Sequence, residues 1–265
     1  MRSRYFWQRA LVVGLMLVAA ACDGLRLPRL VWDTPVPTAG PTGPTATPIP
    51  QSIVNFTVHV PANTPPGTAP AVKLIDEVGG GSITVVLTST GGSVWTGSTP
   101  TVIGAVLRYL YVRRLPGYVE ELTATRQSVQ YRLLVAAGPT VNVEDTVAAW
   151  SDTPFAGDTG ALTGTVKNNN TGQGVAGLIV SAGGQLTLTA WDGSFAFFNL
   201  PVGVQRATIL APDGSLRPAQ ANATVAKGQT VAVDLASTDP NEVHVTFVVS
   251  RPPNLEPTAP MRMAG

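Results

Sequence analysis

Residues 193–214, GSFAFFNLPVGVQRATILAPDG, indicate the fold most clearly. Phe195 and Phe197 stand two positions apart, so on a β-strand both rings point to one face, which we expect to be core. The flanking pairs, Asp192-Gly193 and Asp213-Gly214, are typical of hairpin turns because these residue types accept the backbone angles that such turns need. Two strands joined through a Pro-Val-Gly loop predict a β-sheet protein.

The same pattern continues in both directions and predicts an all-β chain. Short runs of Val, Thr, Ile and Leu recur, divided by turns drawn from 27 Gly and 23 Pro, and long helical periodicity is absent. The runs form two groups, at 53–60, 71–76, 83–88, 105–113 and 131–137, and at 161–167, 178–182, 185–190, 194–198, 204–211 and 230–236. We therefore expect two tandem β-sandwiches, one over residues 52–151 and one over 161–237.

The second group resembles the carboxypeptidase regulatory-like domain over nearly all of residues 161–237. The family has a G-x-V strand, a turn with Gly, a V-x-G-x-x-V strand and then a T-D-x-x-G-x-F-x-F-x-x-L-P-x-G pattern. The matching residues here are Gly164, Val166, Gly172, Val175, Gly177, Val180, Thr189, Asp192, Gly193, Phe195, Phe197, Leu200, Pro201 and Gly203. The resemblance implies a prealbumin-like sandwich without catalytic activity of its own.

The first group is similar to a starch-binding module with an immunoglobulin-like sandwich. The similarity lies in the FTVHV strand from Phe56, a T-x-x-G turn, the VKL strand, Trp95 and the LRYLYVR strand. Where that family displays an exposed tryptophan before a glutamate, this chain has Tyr118-Val119-Glu120. The resemblance implies carbohydrate binding, because an aromatic ring packs against the C–H face of a sugar. The candidate residues are Trp95, Tyr109, Tyr111 and Tyr118.

Residues 1–22 have the pattern of an export signal. Three arginines and no acid precede the apolar run ALVVGLMLVAAA, which is too short to span a bilayer permanently. The segment from Leu17 to Cys22 resembles a bacterial lipobox, which implies a diacylglyceryl group on the Cys22 sulfur and cleavage just before it. The alternative is ordinary signal cleavage that leaves a free N-terminal cysteine. Lipidation would hold the protein outside the cytoplasm, at the membrane or cell surface.

Two further segments flank the predicted sandwiches. Residues 23–51 are rich in Pro and Thr, which predicts an extended linker that lifts the sandwiches off the surface. Residues 247–260, FVVSRPPNLEPTAP, align with 56–70, FTVHVPANTPPGTAP, so that Phe56 matches Phe247 and Asn63 matches Asn254. We interpret 242–265 as the start of a second copy of the first sandwich, cut short; the alternative is chance similarity in a Pro-rich tail.

Composition and spacing argue against several classes of function. The net charge is +1 and only 12% of residues are charged, so no basic surface is predicted for nucleic acid. His59 and His244 have no cysteine or second histidine at ligand spacing, so neither a zinc site nor any other cofactor is expected. The carboxylate pairs Asp76-Glu77, Glu120-Glu121 and Glu144-Asp145 place neighbours on opposite strand faces. We interpret them as solvated residues and not as catalytic pairs.

These observations predict a non-catalytic, lipid-anchored surface protein that binds polysaccharide or glycan. Two alternatives stay open at this stage. The sandwiches could be spacers or protein-interaction modules of a larger surface protein, which predicts inward-pointing aromatics. They could also be accessory modules of a truncated polysaccharide-degrading enzyme, which predicts a hydrolase-like sequence downstream.

Overall fold

The structure is a computed structural model, and it describes residues 48–75 and 81–240. This part of the chain contains strands and turns only, and hence no helix long and apolar enough to cross a membrane. The export signal with Cys22, most of the 23–51 linker and the 242–265 tail lie outside the described residues. The predicted all-β architecture is confirmed.

The first sandwich contains ten strands in two sheets. Sheet A has the order β4-β5-β1-β9, and sheet B has the order β10-β7-β6-β2-β3, with β8 paired to the other end of β6. Strands β1 and β9 run parallel, and the remaining pairs are antiparallel. The strands are β1 (Gln51–His59), β2 (Pro70–Ile75), β3 (Ser82–Val86), β4 (Thr88–Gly91), β5 (Val94–Val102), β6 (Val106–Arg113), β7 (Val119–Leu122), β8 (Arg132–Val135), β9 (Thr140–Thr146) and β10 (Ala149–Trp150).

The core of the first sandwich follows from period-two alternation. On β1, Val54, Phe56 and Val58 are buried while their neighbours face outward. Trp150 is fully buried in the same cluster. Its indole Nε1 donates to Thr64 Oγ1 at 2.9 Å, so the last strand, β10, is tied to the loop after β1.

The second sandwich contains eight strands in two sheets. Sheet C has the order β14-β11-β17, with β18 also pairing β11. Sheet D has the order β13-β12-β15-β16. Strands β17 and β18 pair with β11 in parallel. The strands are β11 (Thr159–Asn168), β12 (Ile179–Ala182), β13 (Gln185–Leu188), β14 (Ser194–Pro201), β15 (Gly203–Leu210), β16 (Ala219–Val225), β17 (Thr230–Ala232) and β18 (Leu235–Ser237).

Phe195 and Phe197 lie in the core of the second sandwich, as predicted. Their rings meet edge to face, with centroids 6.1 Å apart. The predicted turn between β13 and β14 is also present: Gly193 has a φ of +82°, and Ser194 N donates to Asp192 Oδ1 at 2.9 Å. The side-chain bond of Asp192 and the positive φ of Gly193 together explain why this dipeptide reverses the chain.

The predicted strand 230–236 is split in two because β11 approaches it closely at Gly164. A Cβ on Gly164 would lie 1.8 Å from the carbonyl oxygen of Val233. At this point Val233 N donates to Thr163 O at 2.8 Å, and the Asp234 carboxylate accepts from Thr165 N at 2.9 Å. Between β17 and β18, the Asp234 side chain thus takes the place of a backbone acceptor for β11.

The two sandwiches meet where an edge of the first lies against a face of the second. The edge is strand β8, and the face is the outer face of sheet D. Ser181, Thr208 and Gln220 are directly paired across β12, β15 and β16, so they form one polar row on that face. Leu133 N donates to Ser181 Oγ at 3.3 Å, and Thr208 Oγ1 donates to Leu133 O at 3.1 Å. Gln220 bonds both the N–H and the carbonyl of Val135, at 2.9 and 3.1 Å.

This row of side chains satisfies the backbone of an edge strand as a neighbouring strand would. Next to it, Arg206 Nη2 donates to Asn142 O on β9 at 2.7 Å. Strand β15 consequently has buried residues on both faces, Ala207 and Ile209 toward its own core and Thr208 toward the first sandwich. The two sandwiches therefore share specific hydrogen bonds as well as a linker.

Candidate functional site

A groove at one end of the first sandwich is the principal candidate site, and we call it the Trp95 groove. It has a volume of about 520 Å³ and its lining residues carry no charge. They are Val60, Pro61, Ala62, Thr64, Pro65, Pro66, Gly67, Thr68, Gly92, Ser93 and Trp95. Trp95 is half-buried: its ring packs against the core cluster and also lines the groove. The site therefore combines one aromatic wall with prolines and hydroxyl groups.

The walls of the Trp95 groove are fixed by contacts outside it. Thr64 accepts the hydrogen bond from the buried Trp150 indole, and Asn63 Nδ2 donates to Pro154 O at 3.0 Å. Val60 N donates to Ser93 O at 2.9 Å, which joins the two loops on either side of Trp95. A loop anchored in this way presents its side chains to a ligand with little ordering cost.

A second aromatic lies in what we call the Tyr118 cluster: Tyr118, Lys73 and Glu120. Tyr118 is 59% exposed, and its hydroxyl donates to Glu120 Oε1 at 3.1 Å. Lys73 Nζ lies 3.3 Å from the same oxygen and 5.6 Å from the centre of the Tyr118 ring. The pKa of Lys73 is raised above its ordinary value, mainly by the interaction with Tyr118 and further by Glu120. Burial acts in the opposite direction and lowers this pKa.

The loop that carries Tyr118 is tied to the loop that forms the groove. Arg114 N donates to Ala69 O at 3.1 Å, one residue beyond Thr68 in the groove lining. Trp95 and Tyr118 thus lie on connected parts of the first sandwich, with Trp95 packed on the core beside the groove and the Tyr118 ring near Lys73 of β2. Loops held by a rigid scaffold are the usual location of binding residues.

Tyr109 and Tyr111, also predicted to bind carbohydrate, are excluded by their burial. Their side chains are 1% and 0% exposed, and both hydroxyls donate to Asp145 Oδ2, at 2.7 and 2.8 Å. Strand β6 points them into the core, while the opposite face of β6 is itself covered, with Leu110 and Val112 buried against Val129. Rings enclosed in this way have no face for a sugar, so this part of the prediction is wrong.

The interpretation of all carboxylates in the adjacent pairs as solvated is also wrong. In each described pair one member faces out and the other in, as strand geometry requires, but the inward members Glu121 and Asp145 are 1% and 3% exposed. Arg132 compensates their charge: its guanidinium donates to both Glu121 oxygens, at 3.1 and 2.7 Å, and lies 3.7 Å from Asp145. The sequence signal for this cluster is an arginine inside the apolar run YRLLVAA.

The buried tyrosines give the first sandwich an alkaline limit. Burial, and then the negative charge of Asp145, raise the pKa of Tyr109 and Tyr111 well above the ordinary value of 10.0. Because the unfolded chain releases these protons first, their contribution to stability is complete below pH ~10 and is lost as pH rises further. We expect the urea midpoint of the first sandwich to be flat up to pH ~9 and to fall above pH ~10.

Tyr131→Phe provides the control for this alkaline transition. It removes the hydroxyl of a partly exposed tyrosine outside the Asp145 cluster, and the fall of the midpoint above pH ~10 should remain. A midpoint that does not move between neutral pH and pH ~11 would contradict the role of the buried pair.

The other singled-out side chains lie apart from the groove. His59 faces outward on β1, with its Nε2 3.0 Å from Glu144 Oε1. Trp191 is 87% exposed at the tip of the β13–β14 turn on the second sandwich. Across residues 48–75 and 81–240, no three His, Cys, Asp or Glu side chains form a group that could hold a metal ion.

Comparisons with known proteins give similarity to solved structures only. No family model matches the chain, and no curated protein matches it. A family 15 glucoamylase from Hypocrea jecorina is 23% identical over 40% of this chain and 18% of its own, with a TM-score of 0.31. The TIE protein of Bacillus anthracis is 12% identical over 71% of this chain and 34% of its own, with a TM-score of 0.28.

A minor pilin from Streptococcus agalactiae is 11% identical over 74% of this chain and 99% of its own, also with a TM-score of 0.28. The chain thus spans well under half of the length of the glucoamylase and of the TIE protein. All three TM-scores are low, so the assignment of two β-sandwiches rests on the strand pairing of the chain itself.

Proposed function

We propose that the protein is an exported, lipid-anchored, non-catalytic binder of a neutral polysaccharide or glycan, and that the Trp95 groove is its binding site. The observation that carries the proposal is the lining of the groove, which is uncharged and combines an indole with prolines and hydroxyl groups. An indole stacks on the apolar face of a pyranose, and a few placed hydroxyl groups orient its polar edge. A ligand with a full charge would find no partner in this lining.

The position of the groove favours a chain over a small enclosed molecule. It lies at the end of the sandwich between two loops, and Tyr118 stands on a third loop joined to it through Ala69. Stacking on Tyr118 would extend contact to a neighbouring sugar unit, with Glu120 as a hydrogen-bond acceptor beside it. The proposed lipid anchor at Cys22 and the Pro/Thr-rich linker over 23–51 would keep the protein at the membrane, outside the cytoplasm, where such material is found.

Affinity electrophoresis tests the proposal directly. The protein is run in native gels that contain starch, glycogen, xylan or no polysaccharide. We expect one polysaccharide to retard the wild type, and Trp95→Ala to weaken binding about tenfold or more, because loss of a central aromatic contact typically costs about 2 kcal/mol. Tyr118→Ala should have a smaller effect in the same direction.

Trp191→Ala is the matched control, since it removes an exposed tryptophan from the second sandwich and should leave the retardation intact. Because Trp95 is half-buried, Trp95→Phe is needed as well; it keeps a stacking face and should retain most of the binding. Loss of retardation in Trp191→Ala alone would move the site to the second sandwich. A lack of retardation by every polysaccharide would count against glycan binding altogether.

A spacer role is the second candidate function, and the sandwich interface favours it. Hydrogen bonds that involve the side chains of Ser181, Thr208, Gln220 and Arg206 hold the second sandwich against β8 and β9. Two sandwiches in a fixed arrangement would hold a further part of a surface protein at a set distance from its membrane anchor. This function predicts an intact interface and no polysaccharide binding in the same gels.

A further inference from the structure

Strand β3 is an open edge without the features that usually protect one. It ends sheet B, and among the described residues it pairs with β2 alone. Its sequence, SITVV, has no charged residue and no proline, and its pairing with β2 has no register shift. Ile83 and Val86 are 62% and 54% exposed. Native proteins usually guard such an edge with Lys, Pro or a bulge, because it can pair with another chain.

The other edges of the first sandwich differ from β3. Strand β8 is covered by the side-chain row of the second sandwich, and β9 lies against Arg206. Strand β4 is a short, fully polar edge with a register shift between Ser89 and Gly91. The other end of sheet B, β10, has only two residues, and both are buried. Among the described edges of this sandwich, β3 is thus the one with an exposed apolar sequence and no bulge.

The register of β3 shows which backbone groups face outward. Leu87 N donates to Pro70 O at 3.0 Å, which places Leu87 in a hydrogen-bonded pair with β2. Such pairs alternate along an antiparallel ladder, so Val85 and Ile83 also direct their backbone groups to β2. The N–H and C=O groups of Ser82 and Thr84 therefore point away from the sheet, where a further strand would lie. At Val86 the edge meets β5, because the Val86 carbonyl oxygen lies 3.2 Å from where a Gly97 Cβ would be.

We propose that β3 is a self-association edge at which two copies of this chain pair antiparallel, centred on Thr84. In that register Thr84 faces Thr84 of the second copy, Ser82 faces its Val86, and Ile83 faces its Val85. On one face of the joined sheet Ile83 meets Val85. On the other face the two threonines meet at the centre, with a Ser82–Val86 pair on each side. Threonine pairs and β-branched apolar pairs are favourable cross-strand neighbours.

The pairing joins the two B sheets into one continuous sheet across the dimer. Because one strand pair buries a small area, we expect the dimer to form only at high protein concentration. A two-fold pairing uses the β3 edge of each copy, so no β3 edge is left for a third copy. The same contact therefore does not continue into a polymer.

Cysteine cross-linking tests the register. In a Cys22→Ser background, which removes the native thiol, Thr84→Cys places two thiols opposite each other with Cα atoms about 5.5 Å apart, within the range of a disulfide. Ser82→Cys is the matched control, on the same strand and face but facing Val86 of the second copy. We expect mild oxidation to give a covalent dimer with Thr84→Cys and a monomer with Ser82→Cys. Equal cross-linking of both variants, or none, would overturn the proposed pairing.

Sedimentation measures the association without a cross-link. The wild-type protein should show a mass that rises from monomer toward dimer with concentration. Thr84→Pro should stay monomeric while it keeps the wild-type urea midpoint, because the N–H it removes points away from β2. Ile83→Lys should also stay monomeric, since it brings two charges into the pair.

Leu188→Lys is the matched control for Ile83→Lys, because Leu188 is equally exposed, at 62%, on the edge strand β13. It should dimerise like the wild type. A wild-type protein that is monomeric at every concentration would overturn the proposal, whatever else covers the edge. So would a dimer that Leu188→Lys abolishes and Ile83→Lys leaves intact.

Discussion

Replacing Arg132 with methionine should lower the free energy of unfolding of the first sandwich by about 3–5 kcal/mol. Methionine fills a similar volume but leaves Glu121 and Asp145 buried without a compensating cation. The side chains of Arg132, Glu121 and Asp145 are 5%, 0% and 5% exposed, so water does not replace the lost partner. Breaking one side of such a pair is costly because an uncompensated charge stays in the core.

The cluster is connected to the backbone as well. Arg132 Nη2 donates to Thr146 O at 3.0 Å, and Glu121 Oε1 accepts from Tyr111 N at 2.9 Å. Burial disfavours the charged form of Arg132, but attraction to Glu121 and then Asp145 outweighs it and raises the pKa of the guanidinium. Arginine therefore stays charged at every accessible pH, and the two carboxylates keep their counter-ion.

Urea unfolding followed by tryptophan fluorescence measures this loss, because Trp150 lies in the same core. Lys227→Met is the matched control: it breaks an exposed ion pair, 3.0 Å from Asp158, and should change stability by less than about 1 kcal/mol. Arg132→Lys keeps the charge without the forked geometry and should fall between the two. A loss below about 1 kcal/mol for Arg132→Met would show that the buried carboxylates are compensated by something else.

The substitution Gly164→Ala should destabilise the second sandwich by more than about 4 kcal/mol, a large effect for one methyl group. The new Cβ would lie 1.8 Å from Val233 O and 2.7 Å from the Phe195 ring. The backbone oxygen is held on both sides, because Val233 N donates to Thr163 O and the Asp234 carboxylate accepts from Thr165. Relief requires β11 to separate from the segment between β17 and β18, which breaks the sheet.

Thermal unfolding by circular dichroism measures the effect. Gly138→Ala is the matched control, because nothing lies within 4 Å of its new Cβ and its backbone is not in the left-handed region. It should unfold within a few degrees of the wild type. A Gly164→Ala protein that is as stable as Gly138→Ala would mean that the close approach of β11 to Val233 can relax without loss.

The features that the sequence predicts well are those in which local pattern and burial agree. The buried Phe195 and Phe197 and the Asp192-Gly193 turn follow from spacing and turn chemistry alone. Strand β5 is not among the predicted strands because Gly97 and Pro100 interrupt its pattern. The structure explains why both residues are tolerated in β5. A side chain at Gly97 has no room, because Leu87 Cδ2 lies 2.7 Å from where its Cβ would be. Pro100 lies beyond the stretch of β5 that pairs with β4.

The candidate site was harder to predict than the fold. Period-two alternation places Tyr109 and Tyr111 on one face of β6, but it does not reveal that Val129 covers the other face and leaves none exposed. The groove depends on contacts between distant residues, such as the bond from Trp150 to Thr64, and no local pattern encodes these. Trp95 could be named from its sequence setting, whereas its proline and hydroxyl neighbours required the folded loop.

The polar row of Ser181, Thr208 and Gln220 has a consequence for how the chain is made. A protein is synthesised from its amino end, and domains usually fold as units in that order. The first sandwich can complete its ten strands before any residue of that row has left the ribosome. During this interval β8 is an uncovered edge, on the opposite side of sheet B from β3. The nascent chain therefore passes through a stage that is more prone to aggregation than the finished protein. This stage ends only when the second sandwich has folded against β8.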